Sequence, residues 1–106
     1  MQTHRLEDMK GGWIVGDFNP TILPTKELEV AIKTYAAGDK EPKHHHKIAE
    51  EITVIASGKV VMCDQVIEAG TIVQLEPGES TAFEALEPTI TVVVKRPSVP
   101  GDKYLD

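Results

Sequence analysis

The chain has 106 residues, 41% hydrophobic and 26% charged, with a formal charge of −6 and a pI near 5.1. That length is one domain with a single core, and acidity without clustered Lys and Arg excludes a nucleic-acid backbone as partner. Cys63, the only cysteine, excludes an intrachain disulfide and a thiolate-rich metal site, and no apolar run approaches the ~20 residues of a membrane span.

Residues 1–12 are polar, contain His4, end in Gly11-Gly12 and read as a loose N-terminal arm. The arm is too charged for a secretory signal, so the expected compartment is the cytoplasm. Trp13-Ile14-Val15-Gly16-Asp17-Phe18 has strand-forming content, and Asn19-Pro20 closes it. Trp13 would cover an apolar surface of its own chain or of a partner. Residues 20–24 are expected to turn without regular structure.

Residues 27–35 alternate cleanly, the mark of a half-buried strand. Leu28, Val30 and Ile32 share one parity, while Glu29, Ala31, Lys33 and Tyr35 share the other. Lys33 and Tyr35 therefore sit on the polar face of this strand and either line a pocket or meet solvent.

Residues 38–58, GDKEPKHHHKIAEEITVIASG, hold three consecutive histidines and two adjacent glutamates between bounding glycines. Residues of equal parity in a strand face the same side, so His44 and His46 point together and His45 points away. Two imidazoles on one face, completed by a carboxylate, make a facial set for one divalent cation. An unbroken strand register would supply Glu50, whereas a turn within 47–49 would supply Glu51.

Beyond Glu51 the strands are short and regularly punctuated. Residues 52–56, 59–62, 66–68, 71–75, 80–85 and 89–95 are apolar or alternating, separated by Ser57-Gly58, Cys63-Asp64-Gln65, Ala69-Gly70, Pro77-Gly78 and Glu87-Pro88. Cys63 in its hairpin turn is expected as a surface thiol, and Met62 and Phe83 as core. Pro97 and Pro100-Gly101 end regular structure and leave a C-terminal tail. Many short strands with frequent turns predict an all-β sandwich or barrel.

The histidine segment resembles the first conserved motif of the cupin superfamily: glycine, five residues, His-x-His, three or four residues, Glu, six residues, glycine. Gly38, His44, His46, Glu51 and Gly58 match it position for position, and this spacing selects Glu51 over Glu50. The second cupin motif is glycine, five residues, Pro-x-Gly, two residues, His. Gly70 and Gly78 fit it, but Glu76 stands in the proline position and Thr81 where a fourth ligand, histidine, usually stands.

The resemblance implies a jelly-roll β-barrel over residues 13–96, flanked by the arm at 1–12 and the tail at 97–106. It implies His44, His46 and Glu51 as ligands of one divalent transition metal, Fe, Mn, Ni or Zn. Thr81 would act through water or as a direct ligand, and Phe83 would share its side of the cavity. Lys33 and Tyr35 are the other pocket candidates. The partners it implies are a small polar ligand or substrate, sugar- or acid-like, and a second copy of the chain in a homodimer. The expected function is a small metal-dependent isomerase or epimerase, dioxygenase or lyase. The alternatives are a non-catalytic sugar-binding barrel and a metal-independent isomerase with a histidine base.

Overall fold

The computed structural model describes residues 1–106, and the alternating segments become two facing sheets. In chain order the strands are β1 (Trp13–Gly16), β2 (Leu23–Pro24), β3 (Glu29–Tyr35), β4 (Lys40–His45), β5 (Glu50–Ser57) and β6 (Lys59–Met62). They continue with β7 (Gln65–Glu68), β8 (Ile72–Leu75), β9 (Thr81–Ala85), β10 (Thr89–Arg96) and β11 (Tyr104–Leu105). One sheet has the order β2-β1-β3-β10-β5-β8 and the other β11-β4-β9-β6-β7. This is the all-β jelly-roll arrangement that the strand pattern and the resemblance imply. No helix is long and apolar enough to cross a membrane.

Two strands and two turns lie outside the sequence-based expectations. The N-terminal arm carries 3₁₀ turns at Leu6–Asp8 and Lys10–Gly12, because Gly11 and Gly12 adopt positive φ and bring the chain against β3. The stretch expected to lack regular structure contains β2, which pairs in parallel with β1. Most consequentially, the C-terminal residues return to the barrel, where β11 pairs with β4 at His44 and His45.

The larger sheet is polar inside and apolar outside. On β3, Glu29 and Ala31 are buried, while Lys33 and Tyr35 line the interior cavity. On β10 the inward residues are Thr89, Thr91, Val93 and Lys95, all buried. The outer parity carries Ile52, Ile72 and Ile90, each exposed, alongside half-buried Val30, Ile32, Val54, Val92 and Val94.

A true apolar core occupies only one end of the barrel. Ile55, Val60, Met62, Leu75, Phe83 and Ala85 pack together there, with Tyr35, Ile67 and Val73 against them. The cross-strand pairs Lys95↔Glu51 and Lys95↔Glu29 place the charged inward residues at the other end. The core thus floors a polar cavity of about 380 Å³ between the sheets.

Candidate metal centre

His44, His46 and Glu51 all line this cavity. The His44 and His46 rings meet edge to face at 5.3 Å between centroids, and His46 Nε2 lies 3.7 Å from Glu51 Oε1. Glu50, by contrast, points outward and pairs with Arg96. The chain leaves β4 after His45 and turns through 47–49 before β5 begins, which breaks the strand register and brings Glu51 inward.

That turn is fixed by Asp102. Its carboxylate accepts the backbone N–H groups of Lys47 (2.9 Å), Ile48 (3.1 Å) and Ala49 (2.9 Å). Its carbonyl accepts from His46 Nδ1, so that nitrogen carries a proton and Nε2 is the nitrogen that faces Glu51. His44 Nδ1 likewise donates, at 2.9 Å, to the carbonyl of Pro42. Both rings thus engage a backbone carbonyl through Nδ1, the usual outer-shell arrangement of metal-ligating histidines.

The fold and this geometry bear on relatives. No protein-family profile matches the sequence, and no curated protein does. Among solved structures, the chain is similar to an uncharacterized conserved protein with a double-stranded beta-helix domain from Klebsiella pneumoniae. The TM-score is 0.72 at 23% identity, covering 79% of this chain and 74% of that one. It is similar to an RmlC-like cupin from Shewanella frigidimarina, with TM-score 0.64, 16% identity and 71% and 70% of the two chains covered. The fold is that of the cupins. A likeness to the DMSP lyase DddQ from Ruegeria pomeroyi has TM-score 0.72 and 21% identity over 88% of this chain, which spans only 49% of that enzyme.

The charges around His44, His46 and Glu51 are mutually supporting. The Glu51 carboxylate holds His46 above the ordinary imidazole range, against burial and Lys95 and with help from the Asp102 carbonyl. Burial pushes Glu51 upward, but His46, Lys95 and His44 outweigh it and hold the carboxyl below its ordinary range. Burial also opposes the charge on Asp102, yet its backbone donors and His46 leave it below the usual carboxylate value.

The donor types and their shared direction fit a divalent cation. Two ligand atoms each about 2.1 Å from one ion stand roughly 3.0–3.4 Å apart. The 3.7 Å gap between His46 and Glu51 is slightly wider than this. No three His, Cys, Asp or Glu side chains stand as close together as a finished metal site requires.

The remaining predicted residues divide clearly. Thr81 lies opposite His44 across β4 and β9 and lines the cavity, but its hydroxyl accepts from Cys63 N (2.8 Å) and donates to the Ala82 carbonyl (2.6 Å). Phe83 lines the cavity and packs on Tyr35 at 4.5 Å between centroids. The Tyr35 hydroxyl donates to Glu41 at 3.2 Å, and Lys33 stands 4.0 Å from the same oxygen. Burial, followed by Glu41 and Glu51, raises the Tyr35 phenol above its ordinary range, so it stays protonated. His45 faces away from the cavity, as parity requires, but it is not a free side chain. It stacks on Tyr104 and bonds to Asp106 at 2.9 Å. Cys63 is exposed.

Several cavity residues carry no sequence motif. Glu41, Glu29, Lys95 and Thr91 line it, with Lys95 Nζ 2.9 Å from Glu29 Oε1 and Ser98 Oγ donating to Glu29 Oε2 at 2.7 Å. Trp13 lies beneath the ammonium groups of Lys33 and Lys95, at 5.3 and 5.4 Å from its ring centroid. The alternation of TITVVVKR is the one signal that could have found Thr91 and Lys95, since it sets them on a common face. Nothing in the sequence announces Asp102.

Proposed function

We propose that this cupin is a small metalloprotein, with His44, His46 and Glu51 holding one divalent transition metal and a small polar substrate binding beside it. The observation that supports this most strongly is that a backbone carbonyl engages Nδ1 of each imidazole, which makes Nε2 the nitrogen available to a metal. Three protein ligands leave open coordination positions, as catalytic sites require, and an N,N,O set suits Fe, Mn, Ni or Zn. A metal bound there would supply Lewis-acid polarisation of a substrate oxygen.

The chain's own residues would do the rest. Lys10, Lys33, Lys95 and Lys103 line the cavity together with Glu29, Glu41, Glu51 and Asp102. These charges balance, so a divalent cation leaves the cavity positive and favours a ligand with an anionic oxygen end. Tyr35, held protonated, donates rather than accepts at Glu41. Isomerisation or epimerisation, lyase chemistry and dioxygenation are the reaction classes this arrangement admits.

A second, metal-free reading is favoured by the spacing of the trio, which stops short of a closed ligand set. There His46 and Glu51 form an acid–base or purely ligand-binding pair. Elemental analysis of protein purified without a histidine tag separates the two readings. The metal reading requires about one transition metal per chain in the wild type and none in the His44→Ala/His46→Ala variant. A wild type that takes up no stoichiometric metal overturns it.

We further propose that the chain pairs as a homodimer. The exposed apolar outer face around Ile52, Ile72 and Ile90 supports this, because monomers rarely leave such a contiguous patch in water. Light scattering on the Ile52→Glu/Ile90→Glu variant against wild type tests it, and a monomeric wild type would overturn it.

A further inference from the structure

Beyond β10 the chain is anchored at Ser98 and then runs along the cavity wall. Ser98 is buried, and its hydroxyl donates to Glu29 and accepts from Asp17 N at 2.9 Å. Val99, Pro100, Gly101, Asp102 and Lys103 follow as cavity lining, with Gly101 at φ +80° and open space around it. From Asp102 onward, the contacts with the rest of the chain converge on one segment. Asp102 holds His46 and the turn at 47–49, Tyr104 and Leu105 pair with His45 and His44, and Asp106 N donates to the Lys43 carbonyl at 3.0 Å. The Asp106 carboxylate accepts from His45 Nδ1 and from Ser80 Oγ, and Lys47 Nζ stands 4.0 Å from the Tyr104 ring centroid. Little apolar burial supports this docking, since Leu105 is 70% exposed and β11 is two residues long. A segment held by exposed polar bonds opens at much lower free energy than a barrel core.

We propose, resting on the metal reading above, that residues 99–106 form a strap whose docking is thermodynamically coupled to metal occupancy of His44, His46 and Glu51. The strap fixes what an ion needs fixed. β11 sets the backbone at His44, the Asp102 carbonyl sets the rotation of the His46 ring, and the Asp102 carboxylate sets the turn that delivers Glu51. With the strap undocked the three side chains lose that alignment, so an ion binds the docked form more tightly. Linkage makes the effect reciprocal: the factor that docking adds to affinity is the factor that the ion adds to docking. Because the strap is also cavity wall, the loaded chain keeps that wall closed and the empty chain opens it more often.

Hydrogen exchange of the untagged full chain, metal-free and saturated with Zn(II), tests this, with zinc stoichiometry measured on the same sample. Zinc is expected to slow exchange at the amides of 103–106 by roughly tenfold. The β6–β7 hairpin, which holds no candidate ligand and no strap contact, should change little. Asp106→Pro removes both the backbone donor and the carboxylate of the latch. It should free the strap amides in the metal-free chain and weaken zinc binding roughly fivefold or more in calorimetry. Unchanged strap exchange in a wild type that binds one zinc would overturn the coupling and leave the metal reading standing. Unchanged zinc affinity in Asp106→Pro, with its strap amides freed, would overturn it equally. Protection of the strap by zinc in His44→Ala/His46→Ala would place the ion at His45 and Asp106 and overturn it as well. A wild type that takes up no zinc sinks the metal reading and the coupling together.

Discussion

The carbonyl of Asp102 accepts the Nδ1 proton of His46 across 56 residues of chain, while the carboxylate of the same residue ties down the turn between His46 and Glu51. One residue from the C-terminal return thus orients one candidate ligand and positions the approach to another. Asp102→Ala is expected to destabilise the fold by about 2 kcal/mol, the scale of losing a carboxylate that caps backbone donors. It should also weaken metal binding several-fold. Denaturant melts and metal titration of the same variant check both effects.

Asp102 also predicts the acid limb of stability. Its folded-state pKa lies below the unfolded value, so its contribution is complete above the unfolded value of about 3.9 and is lost as pH falls through the lower, folded value. The wild type should lose stability below about pH 4 more steeply than Asp102→Asn. Parallel acid limbs in chemical denaturation would contradict this.

The Glu29–Lys95 pair lies within the barrel, with side-chain exposures of 9% and 10%. Removing one partner leaves a buried charge, so Lys95→Met should cost about 3–5 kcal/mol. The double variant Glu29→Leu/Lys95→Met should cost clearly less than the two single changes together. A double-mutant cycle by chemical denaturation reads this coupling directly, and additive costs would contradict it.

The two glycines that bound the histidine segment are not equivalent. A Cβ at Gly58 would stand 2.2 Å from Thr89 Oγ1 and 2.6 Å from the Pro88 carbonyl, at φ +96°. Gly58→Ala therefore meets both strain and a clash and should cost more than about 2 kcal/mol. Gly38 has a similar φ, +89°, but open space around it, so Gly38→Ala should cost only the conformational term of about 1–2 kcal/mol. Thermal melts of the two variants give the ranking.

Thr91→Val offers a stability readout independent of any ligand. The hydroxyl has at most the Tyr35 phenol as a partner, so a methyl group of the same shape should leave the variant within about 1 kcal/mol of wild type. A clear loss of melting temperature would contradict this.

The sequence made the barrel legible because turn residues punctuate nearly every strand, and the hairpin between β6 and β7 turns at Cys63 and Asp64, both at positive φ. Strand parity separated His44 and His46 from His45, and the motif spacing pointed to Glu51, which faces the cavity where Glu50 does not. Alternation alone left open whether the Lys33 and Tyr35 face of β3 met a pocket or solvent. That polar face turns inward because the barrel encloses a polar cavity, while its apolar partners Val30 and Ile32 lie on the outer surface. The C-terminal return was invisible for a different reason. It depends on one carboxylate meeting three backbone N–H groups more than fifty residues away, a contact that leaves no periodicity behind.

The most direct test is titration of the metal-free protein with Mn(II) and with Zn(II), followed by calorimetry, in the wild type and in Glu50→Gln and Glu51→Gln. Saturation near one ion per chain is expected, retained in Glu50→Gln and weakened at least tenfold in Glu51→Gln. No saturable binding in the wild type, or loss in Glu50→Gln with retention in Glu51→Gln, would contradict it.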